Sequence, residues 1–247
     1  MPTMMTVVAI PIMTPPAEPG NVRPMSMTQP GATGGAVSRT ALDAARNELR
    51  EEIARGAGGR AALERHAERV DQLLRQLYVD AGGGERAVAV IALGGYGRRH
   101  LSLHSDIDLL VLFGGRIGPA EEQFLRGFLH PLWDLGVVVG HQVRELDEFA
   151  DLETDNPEFL LALLDARLVA GEPELFDRLV TMFHRPATHA YIVRSLLQLI
   201  EERHTKFNAT LYQLEPDVKE APGALRDVMA ARTIASLTDP LLLRRGP

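Results

Sequence analysis

Asp106 and Asp108 stand two residues apart at the head of an apolar run that continues Leu109-Leu110-Val111-Leu112-Phe113. Side chains alternate across a strand, so the two carboxylates project from the same face where that strand begins. Paired hard oxygen ligands suit a divalent cation such as Mg²⁺, which takes one or two carboxylates and completes its shell with water and substrate phosphates. An earlier apolar run, Ala87 to Leu93, ends at Gly94-Gly95. Glycine lets the backbone come close to a ligand, and the N–H groups of such a turn can cradle phosphate. Ser105 offers a hydroxyl, and Arg98 or Arg99 offers positive charge against a triphosphate. Together these residues describe a nucleotide–metal site: Asp106 and Asp108 as catalytic metal ligands, Gly94, Gly95, Arg98 and Ser105 as nucleotide-binding groups. Taken singly, each has a plainer role, since aspartate caps turns, glycine ends strands and surface arginine is common. Two other phosphate motifs do not fit. Arg98 and Arg99 follow Gly97 where a P-loop has Lys-Ser/Thr, and His100 occupies the last glycine of a dinucleotide fingerprint.

The segment Gly94-Gly95-Tyr96-Gly97-Arg98, followed by Ser105-Asp106-Ile107-Asp108-Leu109, resembles the signature of the DNA polymerase beta-like nucleotidyltransferases. Within that superfamily it is most similar to the [protein-PII] uridylyltransferases. A second block, Tyr212-Gln213-Leu214-Glu215-Pro216-Asp217-Val218-Lys219-Glu220-Ala221-Pro222-Gly223-Ala224-Leu225-Arg226-Asp227, resembles another stretch of that family, with alanine at 221 and 224 where the family usually has glycine. The resemblance spans roughly residues 40 to 247. It implies Mg²⁺-dependent attack by a tyrosine hydroxyl of the small PII signal protein on the α-phosphate of UTP. It also implies nucleotide-binding roles for Lys219, Glu220, Arg226 and Asp227, whose plainer role is a set of ion pairs around Pro222. A third carboxylate on a later strand is common in the superfamily, but Val137-Val138-Val139-Gly140-His141-Gln142-Val143-Arg144 contains none. Asp134, Glu145 and Asp147 flank that strand without one standing out. The HD-type phosphohydrolase and ACT domains of full-length members have no counterpart in these residues, so uridylyl removal and glutamine sensing are not carried over. The rival readings are a related transferase with another nucleotide or acceptor, a nucleotide-binding or interaction module without turnover, and a truncated fragment.

The chain has 247 residues, 45% of them hydrophobic and 24% charged, which is ample for a folded core. Its formal charge of −7 argues against an extended nucleic-acid surface, which needs clustered Lys and Arg. It leaves room for a single nucleotide whose charge Mg²⁺ offsets. Without cysteine, the chain has no disulfide or thiolate chemistry, and a cytoplasmic location is the simplest expectation. No run of residues is long and apolar enough to span a membrane. Seven of the 16 prolines fall in the first 30 residues, so residues 1–39 read as a disordered tail.

The elements that must hold the site follow from periodicity. Helices are expected over 40–55 and 60–79, strands over 87–93 and 107–113, a helix over 119–135 with Pro119 in its first turn, and a strand over 137–143. From Leu146 onward the pattern reads as helical throughout: 157–164 capped by Asn156, 172–183, 188–206, and 222–236 with Leu225, Val228 and Met229 on its apolar side. Trp133 is expected between helix and sheet, and His141 and His204 in structural hydrogen bonds. The fold class is α+β, a small mixed β-sheet nucleotidyltransferase core with flanking helices over 40–150, followed by a helical subdomain over 151–247.

Overall fold

The structure, a computed structural model, describes residues 33–56, 59–150, 156–207 and 217–238. A mixed four-stranded sheet lies at its centre, formed by β1 (Val88–Ala92), β2 (Ile107–Phe113), β3 (Val139–Glu145) and β4 (Arg167–Gly171) in the order β3-β2-β1-β4. β1 runs antiparallel to both β2 and β4, and β2 runs parallel to β3. The two central strands are apolar on both faces because helices cover both. Val88, Val90, Ala92, Leu109, Val111 and Phe113 face one cluster, shared with α2 (Gly59–Asp80) and α4 (Pro119–Asp134). Ala89, Ile91, Leu110 and Leu112 face the other, shared with α5 (Pro157–Leu163), α6 (Pro173–Phe183), α7 (Pro186–Lys206) and α8 (Leu225–Thr238). The Phe124 ring meets Tyr78 edge-on at 5.7 Å and Phe113 at 6.1 Å, joining α4, α2 and β2. A first helix, α1 (Thr33–Ala54), packs Leu42, Ala45 and Leu49 toward α2.

Local signals work as expected at several ends. Pro119 opens α4, and the Glu121 carboxylate accepts the Gly118 N–H at 3.0 Å, satisfying a donor that the helix leaves free. Asn156 caps α5, its side-chain oxygen accepting from the Glu158 N–H at 2.9 Å. α1 begins at Thr33, inside the segment read as a tail; residues 1–32 lie outside the described residues.

Two expectations need correction and one needs narrowing. The stretch after Leu146 is not wholly helical, because Arg167–Gly171 forms β4 on the edge of the sheet. Only five residues long, it has no period that its sequence could display. Trp133 does lie between α4 and the sheet, against His130 and the β3 residue His141 at 5.2 and 5.7 Å between ring centres, but at the open edge strand and 45% exposed rather than enclosed. α8 starts at Leu225 and buries Ala230 and Leu237, so Leu225, Val228 and Met229 face outward.

Candidate active site

Asp106 precedes β2 and Asp108 is its second residue, so the pair stands where β2 begins and β1 ends. The Leu93 N–H donates to the Asp108 carbonyl at 3.0 Å, which extends the β1–β2 ladder up to the glycine turn. That turn is a single helical turn, α3 (Gly94–Gly97). Gly94 has φ of +52°, a left-handed conformation that glycine adopts without penalty. Its α-carbon overlies the carboxylate: a side chain there would begin 3.7 Å from Asp108 Oδ2. Gly95 follows, half-buried. Asp108 lies on the sheet face of Leu110 and Leu112, beyond the apolar cluster that those two residues join.

Burial, and then the like charge of Asp106, holds the Asp108 carboxyl above the ordinary carboxylate range. Neither carboxylate accepts a hydrogen bond from any described residue. Two neighbouring acids in like-charge contact, with no ion pair to a described cation, are a donor set suited to a hard divalent cation. No third acid or histidine joins them in a metal-sized cluster among the described residues. On β3 the residue paired with Asp108 is Gly140. Glu145 pairs with Phe113 at the opposite end of the strands, and its carboxylate accepts the Ile117 N–H at 2.8 Å.

The basic residues of the turn are engaged with protein acids. Arg98 donates to Asp165. Arg99 sits in the left-handed region at φ +62°, rare for a side-chain-bearing residue, and bonds Glu68 on α2 at 2.7 Å. Ser105 pairs with Ser102 at 2.6 Å between hydroxyl oxygens. Beneath the turn, the fully buried Asp71 of α2 accepts from the Tyr96 hydroxyl at 2.6 Å and from the Arg167 guanidinium at 2.6 and 3.0 Å. Arg167 also donates to the Gly97 carbonyl at 3.1 Å. The glycine turn is thereby tied to α2 and β4 at once. Neither Asp71 nor Arg167 belongs to a motif, yet the sequence carries a signal for the first. Ala67, Asp71, Leu74 and Tyr78 form one apolar stripe of α2, and an acid on such a stripe needs a buried partner.

Of the second block, 212–216 lie outside the described residues and 217–224 form turns leading into α8. The Asp217 side chain accepts from the Lys219 and Glu220 N–H groups at 2.8 and 2.9 Å. Arg226 pairs with Glu220 at 2.9 Å. Asp227 accepts from the Gly223 N–H at 2.6 Å, meets His204 Nε2 at 2.8 Å and also binds Arg203. These contacts dock the block onto α7, and they give His204 its structural bond. Lys219 is exposed.

The GlnD PII-uridylyltransferase family model matches residues 192–242. The bifunctional uridylyltransferase/uridylyl-removing enzyme of Burkholderia lata is 34% identical over 202 residues, covering 81% of this chain and 23% of that protein. Its counterpart in Pseudomonas putida F1 is 33% identical over 204 residues with the same two coverages. The one in Novosphingobium aromaticivorans is 37% identical over 206 residues, covering 77% and 22%. The chain is homologous to part of these uridylyltransferases. A match covering 81% of the chain cannot avoid its middle, so it takes in the glycine turn and both aspartates, while the family model takes in α7 and α8. The chain spans 23% of the length of the first of these uridylyltransferases.

Proposed function

We propose that this chain carries the nucleotidyltransferase centre of a PII-directed uridylyltransferase: it moves UMP from UTP to a tyrosine hydroxyl of a PII signal protein and releases pyrophosphate. The supporting observation is the pair Asp106 and Asp108, bare of hydrogen-bond donors among the described residues, beneath the close-approach backbone of Gly94. PII as acceptor comes from the name of the matching family, and UTP is the donor that the uridylyl transfer named for the family and the relatives calls for. The phenolic oxygen forms its bond to the α-phosphorus as the bond to the bridging oxygen of pyrophosphate breaks, and the phenolic proton leaves. When bound by the two aspartates, Mg²⁺ supplies the charge that steadies the attacking oxygen and the departing pyrophosphate. The Gly94-Gly95 backbone offers N–H groups to the triphosphate, and its link to Asp71 and Arg167 fixes where they point. Lys219 is exposed; Ser105 would first have to leave Ser102, and Arg98 would first have to leave Asp165. We place the reaction in the cytoplasm, which suits a cysteine-free chain. The net charge of −7 supports a protein acceptor over a nucleic acid. Among the described residues no helix is long and apolar enough to cross a membrane.

The test is to incubate the chain with Mg²⁺, labelled UTP and a PII protein, beside the Asp106→Asn/Asp108→Asn double variant. Label on PII that is lost in the variant and on chelation supports the reading. Label from ATP instead would point to another transferase of the superfamily. A second reading, a nucleotide-binding module without turnover, draws on the lack of a third acid at the Asp108 end of β3, whose Glu145 lies at the far end, and on the occupied Arg98 and Arg99. It predicts bound nucleotide, an unlabelled PII and no difference between wild type and variant in any partner-binding assay.

A further inference from the structure

Gly140 faces Asp108 across the parallel β2–β3 pair. A β-carbon built there would stand 2.5 Å from Asp108 Oδ1 and 3.6 Å from its carboxyl carbon. The first separation is far inside van der Waals contact. Apart from chain neighbours, no other atom lies within 4 Å of that point. The room that any side chain at 140 would take is thus the room that the Asp108 carboxylate occupies. Glycine weakens a strand interior, and this one relieves no crowding of backbone against backbone. A purely structural account would leave alanine the better residue.

We propose that Gly140 is a positioning residue of the acidic centre, holding open the space in which Asp108 directs its carboxylate toward the glycine turn. It also explains why β3 brings no third acid up to the pair, its Glu145 lying at the far end: the one β3 position in register with Asp108 has no room for a side chain. The next position on that face, Gln142, pairs with Leu110, farther along the strand. With a methyl group at 140 the strand closes normally, because the clash falls on the free end of a flexible side chain, but Oδ1 must swing away from its place. The inference rests on the reading of Asp106 and Asp108 as the metal centre.

Gly140→Ala is compared with wild type, with Asp106→Asn/Asp108→Asn, and with Gly115→Ala, a control where an added methyl meets nothing within 4 Å. Mn²⁺ binding is read by the loss of the free-ion paramagnetic resonance signal, alongside uridylyl transfer and thermal unfolding. Gly140→Ala should keep the wild-type Tm or raise it, yet bind Mn²⁺ about 10- to 100-fold more weakly, as losses of supporting residues around metal ligands do. Gly115→Ala should leave both unchanged. In an Asp108→Ala background the same Gly140→Ala change should raise Tm by more than it does beside Asp108, since the clash is gone. Wild-type Mn²⁺ affinity in Gly140→Ala, or an equal Tm effect in the two backgrounds, overturns the inference. If wild type binds Mn²⁺ no better than the double aspartate variant, the metal reading fails instead. The Tm comparison then still decides whether Gly140 sets the place of Asp108.

Discussion

Asp227 shows how one carboxylate can be recruited by the fold at a position that the motif assigns to nucleotide. Burial works against its charge, but the Gly223 N–H, His204 and Arg203 outweigh burial and hold its carboxyl below the ordinary aspartate range. A folded-state value below the unfolded one means that the unfolded chain binds the proton more readily. Asp227 therefore contributes stability above the ordinary aspartate pKa and loses it as pH falls through the depressed value. Urea unfolding should show wild-type stability declining below about pH 4, with part of that decline missing in Asp227→Asn. Parallel curves for the two proteins would show that the Gly223–His204–Arg203 contacts carry no net energy. At the same scale, Arg98 and Arg99 were legible as cations, but their partners Asp165 and Glu68 lie 67 and 31 residues away and no local pattern points to them.

Helix α2 and turn α3 meet through Asp71, and the cost of breaking that junction belongs to elements rather than to one bond. Removing one member of a buried pair leaves the other charge uncompensated, so Asp71→Ala should cost about 3–5 kcal/mol in equilibrium urea unfolding. Tyr96→Phe removes a single hydrogen bond and should cost about 1 kcal/mol. Equal, small effects of both would mean that Arg167 finds another partner. α8 offers a second comparison. Val228→Lys on its exposed side should stay within about 0.5 kcal/mol of wild type. Leu237→Ala, in the cluster beneath the sheet, should lose about 2–5 kcal/mol. The reverse order would restore the orientation that the sequence pattern implies. That pattern misled because Leu225, Val228 and Met229 make a respectable apolar stripe, and only docking against α7 shows which side is covered.

The whole folded unit draws its sheet from both halves of the chain. β4 comes from residues 167–171, and α5, α6, α7 and α8 cover the sheet face carrying Ala89, Ile91, Leu110 and Leu112. A fragment ending at residue 150 would expose that face and leave β1 with an unpaired edge, a combination that favours aggregation. It should elute as aggregate or show no cooperative unfolding, whereas the full chain should unfold cooperatively over its described core. A monomeric, cooperatively folding 33–150 fragment would make the helices after residue 156 a separate unit.

The order of elements as far as β3, the two ends at which the site forms, and the spacing of Asp106 and Asp108 were all readable in the chain itself. The reason is local: strand alternation, glycine punctuation and capping residues act over a few positions and need no partner. The course of β4, the solvent-facing side of α8, the exposure of Trp133 and the company of each arginine were decided only in three dimensions. Each depends on a surface brought from tens of residues away. Gly140 belongs to both kinds: the letter stands plainly in the strand, but the carboxylate that needs its empty space appears only when β2 and β3 lie side by side.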